Sequence, residues 1–166
     1  MKTQIEYRDN GAIGAILDEY ERAIRELKAV ISTVSYQELM EIVDKETTDA
    51  ACKSIQTILT HVVVSGYLYA TEIRKWLGED IAYPEKEWFE EVKAYQKALD
   101  EMFNFNEKIF QDYPNIQLKE YDCDKKVKVR WGQKFDVNQL CEHAIMHVLR
   151  HRRQIERFLL KLRKVN

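Results

Sequence analysis

Glycine and proline are scarce in this 166-residue chain, five and two in all. An all-β fold, which turns about every ten residues, would need more of both. Cysteine is scarce too. Cys52, Cys123 and Cys141 are odd in number and lack C-x-x-C spacing, which argues against a disulfide framework or a zinc knuckle. No long apolar run occurs: stretches such as Val62-Val63-Val64 are far too short to span a bilayer. Met1 to Arg8 is polar, without the apolar core of a signal peptide. An excess of charge is also missing. A net charge of −2 sets up no global field toward nucleic acid or a membrane surface. These absences together predict a protein of the reducing cytoplasm.

What is present is a chain with 45% apolar and 33% charged residues, the mix of a water-soluble globular protein. Its length suits one domain, residues 1–166, with a core that needs no covalent staple. Four amphipathic segments follow the helical period. The first spans about 12–31, with Ile13, Ile16, Leu17, Tyr20, Ala23, Ile24, Leu27 and Val30 recurring at three- and four-residue steps and Asp9 or Asn10 as cap. The second spans about 50–77, with Thr48 or Asp49 as cap and Gly78 just past its end. The third spans about 85–112, opened by Pro84 with an acidic first turn, and its stripe includes Trp88, Val92, Tyr95, Leu99, Met102 and Phe103. The fourth spans about 137–164, with Asp136 and Gln139 as a capping box and Lys161, Arg163 and Lys164 in its last turn.

The connections add detail. Residues 79–84 are too few to cross a bundle, so the second and third helices are expected to be antiparallel neighbours. Ser35 with Glu38 predicts a short extra helix in the 32–48 link. Alternation in Lys126 to Trp131 predicts a small hairpin near 126–135, and links of this length often form lids or pocket walls. The expected fold is all-α, four helices with at most one hairpin.

Three of the four histidines occur as His143, His147 and His151. Residues four apart share a helix face. The apolar stripe of the fourth segment runs through Leu140, Ala144, Ile155, Phe158 and Leu162. His147 and His151 lie on or beside it, and His143 lies nearer its edge. A pair at i, i+4 facing a core can hold one metal ion, as in helical zinc sites. A third ligand must come from another helix, and the remaining histidine is His61, in the middle of the second. Three imidazoles suit zinc, nickel or ferrous iron and leave a coordination position open. Taken alone, His61 reads more readily as a hydrogen-bonded core or boundary residue than as a ligand, and the pair as partly exposed beside Arg150, Arg152 and Arg153. Yet buried ring nitrogens need partners, since an unpaired buried polar group costs roughly 1–3 kcal/mol.

Other chemistry is sparse. There is no E-x-x-H, H-E-x-x-H, glycine-rich phosphate loop or G-x-S-x-G. Cys141 sits on another face from His147 and reads as a packing residue. Tyr67, Tyr69 and Trp131 read as core aromatics or pocket lining. Arg150, Arg152, Arg153, Arg157, Lys161, Arg163 and Lys164 form a basic stripe, which reads as a solvated face paired in part with Glu142 and Glu156.

The segment Ser54 to His61 resembles the second-helix motif of the DinB/YfiT-like superfamily of metalloenzymes. Trp131 to Ile155 resembles its fourth-helix motif, including His147-x3-His151 followed by Arg and Gln-Ile. The likeness covers nearly the whole chain. It implies a four-helix bundle that is a mirror-image variant of the up-and-down type, a homodimer, and one divalent metal ion on His61, His147 and His151. It implies thiol-dependent transferase or isomerase chemistry with a low-molecular-weight thiol; hydrolysis, or a non-catalytic metal-binding scaffold, are the other readings. His143 departs from the pattern and is either a group behind the ligands or an alternative ligand. Glu72, about on the face of His61, is the one candidate base. Neither nucleic acid nor membrane is expected as a partner.

Overall fold

The computed structural model describes residues 7–164, so most of the stretch read for a leader, Met1 to Arg8, and the two extreme ends of the expected domain lie outside the described residues. Five helices are formed among them: α1 (Gly11–Ile31), α2 (Tyr36–Met40), α3 (Ile55–Trp76), α4 (Val92–Asp112) and α5 (Val137–Arg163). A single antiparallel ladder joins β1 (Val127–Lys128) to β2 (Lys134–Phe135), pairing Val127 with Phe135 and Lys128 with Lys134. The fold is therefore all-α apart from the expected hairpin. No helix among the described residues is long and apolar enough to cross a membrane.

Local signals explain most of the helix ends. Asp136 accepts from the Gln139 backbone N–H while Gln139 accepts from that of Asp136, closing the box at the start of α5. Ser35 and Glu38 do the same for α2. Past α3, Gly78 takes a φ of 95°, a conformation glycine adopts without strain. That turn lets Gly78 N–H reach Lys75 O and Glu79 N–H reach Arg74 O, a Schellman closure.

Three expectations need correction. Asn10 occupies the N-cap of α1, but no side chain caps that helix. Asp49 caps only a 3-10 turn, Ala50–Cys52; α3 itself starts at Ile55 under a box made by Ser54 and Thr57. The third helix starts at Val92 rather than 85. Its supposed first two turns are irregular chain held by distant partners: Gln56 Nε2 donates to Phe89 O, Phe89 N–H donates to the Tyr95 hydroxyl, and Tyr83 donates to Glu72. Trp88, expected on the buried stripe, is 53% exposed.

That late start reverses the expected direction of α4. Along α3 and α4 the contacts run in the same order: Thr60 with Tyr95, Gly66 with Asn106, Arg74 with Asp112. The two helices are parallel, not antiparallel. The strap between them (77–91) spans about 50 Å when extended, more than the roughly 32 Å of a 21-residue helix, so it returns the chain to the starting end. α1 packs on α4 and α5, and α3 packs on the same two helices. Contacts of Lys28 with Asp100 and Arg8 with Glu107 set α1 antiparallel to α4. Glu26 with Arg152, and Thr33 just past α1 with Arg163, mark α1 and α5 as parallel.

The core is apolar and tight. Leu27, Ile31, Leu39, Ile55, Ile58, Leu59, Leu99, Met102 and Leu140 are fully buried, each worth about 1.5–3 kcal/mol against exposure. Gly66 leaves room on α3 for Met102 of α4, since a Cβ there would collide with Met102 Sδ. Against this core, α3 and α5 run antiparallel, and that contact brings three histidines together.

Candidate metal centre

His61 lies in the first half of α3, two turns past its capping box; His147 and His151 lie one turn apart on α5, among Ala144, Val148 and Ile155. Both α5 histidines are buried and His61 is half-buried. One ligand atom from each lies within 4.8 Å of the others. His61 Nε2 and His147 Nε2 face each other at 2.9 Å. The ring centroids stand 4.8 Å apart for His61 and His147, 5.0 Å for His61 and His151, and 4.4 Å for His147 and His151.

One outer nitrogen is firmly held. His151 Nδ1–H donates to Gln154 Oε1 at 3.0 Å, which leaves the Nε2 lone pair turned inward. That Nε2 is buried and has no hydrogen-bond partner. His61 Nδ1 stands 3.5 Å from the Ser65 hydroxyl, one turn further along α3. Burial disfavours the imidazolium form at all three rings. It pushes His151 down to about 4, against a partial opposing effect of Gln154, and pushes His147 lower still with the two neighbouring rings adding to the effect. His61 is lowered too, mainly by burial. At neutral pH the cluster therefore presents three uncharged imidazoles, the form a metal binds.

A divalent ion fits this set on two observations. An acceptor nitrogen is buried without a donor, which costs roughly 1–3 kcal/mol unless something electron-poor meets it. And the donor chemistry, three neutral imidazoles with one outer N–H fixed by an amide oxygen, is the pattern by which second partners orient ligating histidines.

The cluster borders two cavities, and one of about 750 Å³ reaches His147 and is also lined by His143, Met146, Arg152 and Glu156. The other, of about 470 Å³, reaches His61 and His151 and is also lined by Asp44, Asp49, Cys52 and Gln154. Asp49 is kept ionised chiefly by the Ala51 backbone N–H. The Cys52 thiol donates to Asp49 Oδ2 at 3.4 Å and is raised above the ordinary thiol range, mainly by burial. Tyr69 packs edge-on against His147 at 5.7 Å and against Trp131 at 6.0 Å, forming an aromatic wall.

The remaining residues singled out in the sequence fall elsewhere. His143 is exposed and outside the cluster, stacked 6.5 Å from His147 and packed on Tyr69 and Phe135. Glu72 is no base for this site. It lies eleven residues, about 16 Å, along α3 from His61 and accepts from the Arg130 backbone N–H and the Tyr83 hydroxyl, tying the hairpin and the strap to α3. Tyr67 packs on Phe105 of α4, and Cys141 is buried in the core with its thiol pushed up to about 12. Gln154, Asp49 and Cys52 were missed. Gln154 was legible, three residues after His151 and so on its face. Asp49 and Cys52 carry no local signal, because the 3-10 turn alone brings them to the cavity.

No family model, curated protein or solved structure matches this chain.

Proposed function

We propose that this chain is a four-helix bundle of the DinB/YfiT type that holds one divalent ion, zinc, nickel or ferrous iron, on His61, His147 and His151, and that it is a thiol-dependent transferase. The observation that carries the reading is the convergence of three neutral imidazoles from two helices, one with a buried unpartnered nitrogen, two of them lining a cavity. With α3 and α4 parallel, the helix directions depart from the up-and-down alternation that the motif resemblance implies, so the histidine cluster and not the topology supports the reading. When bound, such an ion supplies Lewis acidity and lowers the pKa of a thiol or water that meets it.

The chain's own groups define what else the site does. Gln154 holds His151 in one tautomer and orientation. Asp49 faces the rings as a fixed negative charge; its lowered pKa makes it a poor proton acceptor. Cys52 and Cys141 are both raised, so neither is a ready thiolate, and the nucleophilic thiol is a molecule that enters through the cavity. Hydrolysis by water at the same position is the second reaction type. A non-catalytic scaffold is the alternative, and the open cavity counts against it.

The test is a screen of zinc-, nickel- and iron-loaded protein with low-molecular-weight thiols and alkyl or epoxide electrophiles. Metal-dependent thioether formation, lost in His147→Ala, is the expected result. A fully loaded protein inert to every thiol and every hydrolysable ester would leave the scaffold reading in its place.

A further inference from the structure

We infer that the cavity above the histidine cluster takes a small molecule carrying carboxylate or phosphate groups, recognised by Arg150, Arg153, Arg157 and Lys161. The inference rests on reading the cluster as the working centre of the protein. These four residues follow one another at steps of three and four along α5, and all four line the cavity that reaches His61 and His151. All four are exposed, and none has an ion pair among the described residues. Their neighbours on α5 differ in just this respect: Arg152 is paired with Glu26 and Glu156, and Arg163 with Glu38. The arginines flanking the stripe are thus neutralised within the fold, and those lining the cavity are left free.

The acidic groups facing them do not cancel the charge. Asp44 and Asp49 are the carboxylates in the lining, two against four cations. Both are occupied in shaping their loop: Asp44 accepts from the Glu46 and Thr47 backbone N–H groups, and Asp49 from that of Ala51. Three guanidinium forks, each able to grip a carboxylate or phosphate through two parallel hydrogen bonds, stand on successive turns. From Arg150 to Lys161 the stripe is about 16 Å long, and the cavity's 470 Å³ falls in the small-ligand range. A nucleic-acid backbone would instead need cations continuing over open surface, whereas Arg152 and Arg163, the arginines flanking the stripe, are paired.

The test is arginine side-chain NMR on zinc-loaded protein, titrated with succinate, glycerol 3-phosphate and neutral succinamide. The Nε signals of Arg150, Arg153 and Arg157 are expected to move with the two anions and not with succinamide. The double variant Arg153→Gln, Arg157→Gln is expected to weaken both anions at least about tenfold with zinc stoichiometry unchanged, while Arg163→Gln leaves them as they were. Equal weakening in Arg163→Gln, shifts confined to arginines outside the cavity, absence of anion binding, or tighter binding of short single-stranded DNA through the same arginines would each overturn the inference. His147→Ala separates the two readings. If that variant still takes zinc, the metal assignment fails, while the arginine shifts continue to decide the anion site.

Discussion

Replacing Gln154 by leucine asks whether the cluster is built to bind metal or is only a packed group of rings. Gln154 Oε1 accepts from His151 Nδ1–H at 3.0 Å, and His151 itself is 2% exposed. Leucine has similar volume and no acceptor. Without the acceptor, His151 can place its proton on Nε2, the atom that must stay bare for a metal. Loss of such a supporting partner typically costs ten- to a hundredfold in metal affinity, about 1.4–2.7 kcal/mol. Gln154→Glu keeps an acceptor and adds charge, so its affinity should equal or exceed that of the unaltered protein. Zinc affinity is read by competition with a chromophoric chelator at neutral pH, and folding by urea unfolding of metal-free samples. The metal-free stability of Gln154→Leu should shift by no more than one neutral hydrogen bond, about 0.5–1.5 kcal/mol. Equal zinc affinity in the leucine variant, or equal losses in the leucine and glutamate variants, would refute the orienting role.

Two further outcomes follow from burial, and one from the surface. His147 and His151 have folded pKa values below the ordinary 6.5, so the unfolded chain binds more protons at mildly acid pH. Metal-free stability should be full above about pH 6.5 and fall as pH drops toward about 4, a slope that flattens in a His147→Ala, His151→Ala double variant by urea titration. Gly66→Ala should destabilise by about 1–3 kcal/mol through collision with Met102, and a double-mutant cycle with Met102→Ala should show strong positive coupling; additive effects would contradict the close approach of α3 and α4. Met146 and Leu160 on α5 stand 62% and 58% exposed, and with the family resemblance they support a homodimer. Sedimentation should give a dimer at micromolar concentration, and a monomer would count against it.

The sequence carried the helices whose ends are written in local chemistry. The Asp136–Gln139 box, the Ser35–Glu38 box and Gly78 each act within a few residues, so α5, α2 and the end of α3 fall where their caps put them. The start of α4 was misread because Pro84 and the acids after it make a plausible helix opening, whereas Gln56 and Tyr95, remote in the sequence, hold that strap in extended form. From that single misreading came the wrong direction for α4. The histidine cluster was legible because two histidines share one helix face and a third sat mid-helix. Its surroundings were not, since Asp49 and Cys52 reach it only through tertiary placement, and Glu72, alike in helical phase to His61, lies three turns away.

The central claim is that His61, His147 and His151 hold one metal ion, and elemental analysis of protein purified without added metal, then saturated with zinc and desalted, tests it most directly. The account predicts one ion per chain for the unaltered protein and for His143→Ala, and none for His147→Ala. A folded protein that retains no ion after exposure to zinc, nickel and ferrous iron, or a His147→Ala variant that retains a full equivalent, would contradict it.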